Sequence, residues 1–142
     1  MAWKNKDARG TWEGTAAVAI AENLLVHRKA DGLLDLADAT TGTAKAAIGF
    51  AGLAASLAGN KVSVIRTGKL AGVTDGAGAV LVTGDHYYTD WLVPGGITRD
   101  KAGLLGAAGA LVQRVGVACS TTELEICIET PHTVASSGVY LQ

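Results

Sequence analysis

Hydrophobic positions in this chain come in short runs separated by turn residues, not in long helical stripes. Ala17-Val18-Ala19-Ile20 and Leu24-Leu25-Val26 are brief apolar runs. Asp31-Gly32 is a turn signal, and Leu33 to Ala37 follows it as a predicted strand. Asp38 to Lys45 reads as a polar loop, and Ala46 to Ala51 as a strand with an embedded glycine. Asn60 to Gly68 alternates polar and apolar residues, the period of a half-buried strand. Val80-Leu81-Val82 and His86-Tyr87-Tyr88-Thr89 are strand-like and are split by Thr83-Gly84-Asp85. Pro94-Gly95-Gly96 is a turn before Ile97-Thr98. The final strands are Arg114 to Ala118 and Glu123 to Glu129. In the second of these Leu124, Ile126 and Ile128 share one face, opposite Glu123, Glu125, Cys127 and Glu129.

Asp100 to Gln113 is the one stretch with rough helical spacing, through Leu104, Leu105, Ala108, Leu111 and Val112. Gly103, Gly106 and Gly109 each cost a helix about 1 kcal/mol, so a loop competes with it. Two passages echo each other. Ala47-Ile48-Gly49-Phe50-Ala51 followed by Lys61 to Ile65 resembles Arg114-Val115-Gly116-Val117-Ala118 followed by Glu123 to Ile128. Each is a strand with a central glycine, then a turn, then an alternating strand. The glycine permits a bulge or a close strand crossing. The expectation is an all-β domain, a small barrel or sandwich of the β-tulip type, with at most one short helix. Residues 15–130 form that domain, between an N-terminal arm, 1–14, and a C-terminal tail, 131–142.

Composition sharpens this picture. Charged residues are 18% of the 142-residue chain and aromatics 5%, while Gly and Ala make up nearly a third. Net charge is −1, which argues against nucleic-acid binding. No apolar run reaches the length of a membrane span. The polar start, Met1 to Asp7, lacks the pattern of a signal peptide, so synthesis in a cytosol is expected. A weakly charged surface rich in small residues suits a subunit packed against partners; a monomer with a small core is the plainer reading. Trp3 and Trp12 lie in the hydrophilic arm. They either anchor it on a partner or fold it back onto its own domain.

Candidate chemistry is sparse. His27, His86 and His132 share no local motif, and no histidine stands at ligand spacing beside Cys119 or Cys127. No metal or cofactor is therefore expected. A turn at 119–123 leaves the two cysteines unopposed, so both are expected as buried free thiols. Asp85 suits the turn after Gly84 better than a cation site. Gly76-Ala77-Gly78 lacks the third glycine of a dinucleotide fingerprint, and Gly116 to Ser120 is not a nucleophile elbow. The sequence contains no nucleophile–base pair and no phosphate loop, so no catalytic residue is assigned and no enzyme is expected.

The ordered series Ile48-Gly49-Phe50-Ala51, Lys61 to Gly68, Gly84-Asp85-His86-Tyr87-Tyr88-Thr89-Asp90, Gly96-Ile97-Thr98, Val115-Gly116-Val117-Ala118 and Glu123 to Ile128 resembles the capsid decoration, or cement, proteins of tailed bacteriophages. The resemblance runs from about Ala17 to Glu129. It departs from the family at Leu53 to Gly59, around Gly103 to Gly109, and in the tails. It implies a non-enzymatic, head-stabilising virion protein, made in the bacterial cytoplasm and bound to the exterior of the expanded shell. It implies a homotrimer that clamps neighbouring major capsid proteins, with neither nucleic acid nor membrane as partner. Candidate capsid or oligomer contacts are Trp3, Trp12, Tyr87, Tyr88, Trp91, Val139, Tyr140 and Leu141. Alternation puts one of Tyr87 and Tyr88 inside, and Tyr87 and Trp91 are equally readable as core. Two other classes compete: a self-assembling tube or fibre subunit, and a glycan-binding virion domain using Trp91 and Tyr88.

Overall fold

Residues 12–40, 44–52, 57–101 and 110–133 are described in a computed structural model of the chain. The first sheet contains β1 (Trp12–Thr15), β2 (Leu25–Arg28), β3 (Leu34–Leu36), β4 (Gly49–Ala51) and β5 (Lys61–Ile65), in the order β1-β5-β4-β2-β3. The second contains β6 (Thr67–Ala71), β7 (His86–Thr89), β8 (Ile97–Thr98), β10 (Arg114–Ala118) and β11 (Glu123–Cys127), in the order β6-β11-β10-β7-β8. Between β8 and β10 lies β9 (Leu111–Val112), which pairs with β12 (His132–Thr133) as a separate ribbon. The fold is all-β and sandwich-like, with no closed barrel.

The two sheets are one topology used twice. The strands β1 to β5 correspond in order to β6, β7, β8, β10 and β11. Their registers match residue by residue. Arg28 pairs with Leu34 as Thr89 pairs with Ile97. Val26 pairs with Gly49 as Tyr87 pairs with Gly116. Ala51 pairs with Val64 as Ala118 pairs with Leu124. The turns before β2 and β7 match too. Asn23 N–H donates to Ala51 O and Leu24 N–H to Ala21 O; Gly84 N–H donates to Ala118 O and Asp85 N–H to Val82 O. Both Asn23 (φ 68°) and Gly84 (φ 89°) take the left-handed conformation that this turn requires.

Matching positions supply each half's interior. Val26, Leu34, Ala51 and Val64 lie in one buried cluster with Ile20. Their counterparts Tyr87, Ile97, Ala118 and Leu124 lie in another with Leu81. The opposite face of the first sheet is apolar as well. Leu25 and Phe50, with Ile65 beside them, join the second half's cluster. Fully burying Leu25 and Phe50 contributes roughly 1.5–3 kcal/mol each. At the corresponding positions the second sheet carries His86, Val117 and Glu125, none of them buried. Thus the first sheet is covered on both faces and the second on one.

Backbone hydrogen bonds complete the joint between halves. Leu25 N–H donates to Gly95 O at 2.8 Å, Gly95 N–H to Ala37 O at 2.7 Å, and Ala37 N–H to Leu25 O at 3.0 Å. Gln113, 2% exposed, adds a second clasp. Its amide accepts from Ala47 N–H at 2.7 Å and donates to Ala47 O at 2.9 Å and Glu129 O at 3.0 Å. One side chain thereby satisfies both backbone groups of a buried residue, which would otherwise cost about 1–3 kcal/mol each.

Several sequence expectations meet corrections here. Val80–Val82 is a loop, because Leu81 N–H is used by Thr121 O and Val82 N–H by the Tyr87 hydroxyl. Cys119 and Cys127 are free but not buried: Cys119 is exposed at a hairpin tip, and Cys127 lies half-buried on the polar face of β11. Residues 12–14, read as arm, open the first sheet, and residues 132–133, read as tail, form β12. Most of the stretch considered as helix, 102–109, lies outside the described residues.

The echoed glycines sit where strands cross closely. A Cβ on Gly49 would lie 2.7 Å from Val64 Cγ1 and 2.8 Å from Ile65 O. One on Gly116 would lie 2.7 Å from Glu125 O, beside a register shift between β10 and β7. A backbone oxygen in a central ladder has little freedom to retreat. Gly116→Ala is expected to destabilise the fold by about 2 kcal/mol, read as a lower urea midpoint at unchanged slope. A wild-type midpoint would contradict the close crossing.

Candidate docking surface

The structure separates the proposed contact residues. Tyr87 is a core residue, 1% exposed, and its hydroxyl accepts from Val82 N–H at 2.9 Å. It therefore offers no surface to a partner. Its neighbour Tyr88 points the other way, as alternation requires. Tyr88 and Trp91 are half-buried against a small third cluster built on Ala39, Ala110, Leu111 and Val112. Lys101 Nζ stands 5.7 Å from the Tyr88 ring centroid. Thr40 ties Trp91 into place by donating its hydroxyl to Trp91 O at 2.8 Å. Trp12 opens β1 with its backbone paired to Val64. Trp3, Val139, Tyr140 and Leu141 lie outside the described residues.

Apolar exposure lies instead on loops. Leu92 is 71% exposed and Val80 62%, with Val82 and Val93 also exposed. Leu92 and Val93 belong to the β7–β8 loop. Asp90 holds that loop rigid by accepting from Leu92 N–H at 2.8 Å, itself being buried. Gly76 and Gly96 pack so tightly beneath it that a Cβ on either would lie 3.3 Å from Val93 Cβ. An exposed leucine on a fixed loop is a ready docking element, because little conformational entropy is lost when it is covered.

On the outer face of the second sheet, Arg114 gathers a polar cluster. It pairs with Glu129, meets His86 Nδ1 at 2.6 Å and lies 3.8 Å from Cys127 Sγ. Burial lowers the basicity of its guanidinium, but the Glu129 carboxylate outweighs that effect and raises it. Arg114 Nε is buried without a partner. The cluster joins β7, β10 and β11 across their ladders and gives that face its polar character. Among the described residues no three His, Cys, Asp or Glu side chains come together as a metal site.

Two grooves occupy corresponding seams of the two halves. The first, about 540 Å³, runs between β1 and the β2–β3 turn and includes Gly14, Gly32, Arg28 and Arg66. The second, about 280 Å³, runs between the end of β6 and the β7–β8 loop and includes Gly72, Gly95 and Asn23. No protein-family model and no curated protein matches this chain.

These environments separate fold from surface. Tyr87→Phe is expected to cost about 1 kcal/mol by leaving Val82 N–H without its acceptor. Leu92→Asp is expected to change stability by less than about 0.5 kcal/mol. Both are read by urea unfolding. A loss at Leu92→Asp as large as at Tyr87→Phe would contradict its role as a free surface residue.

Proposed function

We propose that this protein is a non-enzymatic capsid decoration protein of a tailed phage. In this reading it sits on the outside of the expanded shell as a homotrimer and clamps neighbouring major capsid proteins. The observation that carries the reading is the ordered motif series from Ile48 to Ile128, whose glycine-centred and alternating segments fall on β4–β5 and β10–β11. Low charge density and the exposed Leu92 on a rigid loop support a chain that works covered by neighbours.

The mechanism is linkage. A protein that binds the expanded lattice and not the unexpanded one stabilises the expanded state in proportion to occupancy. Many copies on one shell multiply a modest gain per site, and several contacts per trimer raise its residence through effective concentration. No bond is made or broken. The requirement is a rigid body with apolar loop contacts, held in register by the double sheet.

Purified protein mixed with expanded and unexpanded shells tests this. The expected result is co-sedimentation with expanded shells only, weakened at least tenfold by Leu92→Asp in a chain of wild-type stability. Equal binding to both shell forms, or to neither, would contradict the reading. Large polymers formed by the protein alone would point to a self-assembling tube or fibre subunit instead.

A further inference from the structure

We propose that two charge-free loops, residues 76–80 and the β7–β8 loop, form one docking platform, and that the partner surface they fit is an uncharged apolar patch of the major capsid protein. The inference rests on the decoration reading and adds to it the second loop, the chemistry of the partner surface and a salt-independent mode of binding.

The platform is written in the sequence. Gly76 to Gly84 and Trp91 to Thr98 contain no charged residue, although charged residues are 18% of the chain. Both loops are exposed where they carry apolar side chains, Ala77 to Val80 in one and Leu92 to Pro94 in the other. Each is bracketed by an aspartate. Asp75 Oδ1 accepts from Ala77 N–H and Ala79 N–H, both at 2.9 Å, and Asp75 N–H donates to Ala79 O at 2.9 Å. Val80 follows directly. Asp90 Oδ1 accepts from Leu92 N–H, two residues on, as Asp75 does from Ala77. Loops fixed in this way lose little conformational entropy when a partner covers them.

The two loops are also locked to each other. Gly76 N–H donates to Ile97 O at 2.8 Å. A Cβ on Gly96 would lie 2.9 Å from Gly76 Cα, and one on Gly76 would collide with Asp90 Oδ2. The buried Asp90 carboxylate therefore sits beneath both loops, and one cannot shift without moving the other. Two other surfaces have a different character. The groove beside β1 carries Glu13 and Asp31 with Arg28 and Arg66. The outer face of the second sheet carries Lys69 paired with Glu125, and Arg114 with Glu129. A charge-free platform selects a partner surface without charge, because an ionised group covered by it would lose its water and gain no counter-ion. Docking through the platform is insensitive to salt, whereas docking through either charged surface weakens as salt rises.

Co-sedimentation of the full chain with expanded shells, at low and at high salt, tests this. Wild-type affinity is expected to change by less than about twofold with salt. Val80→Asp is expected to weaken binding by about tenfold or more, because it buries an unpaired carboxylate. Leu57→Asp, at a site 68% exposed on the β4–β5 connection, is expected to bind as wild type does. Gly76→Ala adds apolar surface yet is expected to weaken binding, because it forces the loops apart. Without any shell, its Leu92 amide should exchange faster while the ladder amides keep their protection. Affinity that falls steeply with salt, wild-type binding by Val80→Asp, or an equal loss at Leu57→Asp would overturn the platform and leave the decoration reading standing. Wild type that binds no shell would overturn the decoration reading, and the partner assigned here with it. If Gly76→Ala unfolds, the two exposed sites still decide.

Discussion

The joint between two copies of one five-stranded motif governs this structure. Leu25, Ala37 and Gly95 close a ring of three backbone hydrogen bonds across it, and Leu25 and Phe50 enter the second half's core. A small all-β half is marginal alone, since short sheets bury little apolar area. The shared face adds Leu25, Ala37, Ala47 and Phe50 to the second half's core. Gln113 reinforces the arrangement by reading both backbone groups of Ala47 from the other side of the fold. These polar contacts are buried, so losing one partner strands the other, and the joint favours a single docking geometry over a family of slipped ones.

The outer faces of the two sheets differ in chemistry. The face that is Leu25, Phe50 and Ile65 in the first sheet is His86, Val117 and Glu125 in the second, with Lys69 paired across from Glu125 and the Arg114 cluster alongside. The apolar face is covered by the other half, and the polar one is left at the surface. The decoration reading uses the β7–β8 loop.

Local pattern revealed much of this framework. The alternation of Lys61–Ile65 and Glu123–Ile128 is burial written directly in sequence, and Gly49 and Gly116 marked close strand crossings because only a missing Cβ fits there. The echo between those segments was the visible part of a complete duplication. The remainder was hidden because its corresponding residues differ in chemistry while their backbone bonds agree, as Asn23 and Gly84 do. Long-range partners were equally invisible. Gln113 gains its meaning from Ala47, sixty-six residues away, and Asn23 from Ala71 and Gly72. Tyr87 read as surface-competent because an aromatic beside a second aromatic gives no hint of which faces inward until the register is fixed. Val80–Val82 read as a strand because three successive apolar residues before a Gly-Asp turn carry the strand signal, while the backbone bonds of Leu81 and Val82 to Thr121 and Tyr87 are invisible in sequence.

The central claim is that the two halves stand or fall together on their joint. Native-state hydrogen exchange of the full chain measures this directly, because each amide reports the free energy of the opening that frees it. The amides of Leu25, Ala37, Gly95 and Ala47 should exchange only through global unfolding, with the same opening free energy as the ladder amides of both sheets. Exchange of Leu25 and Gly95 at a markedly lower free energy than either sheet, with the halves unfolding in separate steps, would contradict the account.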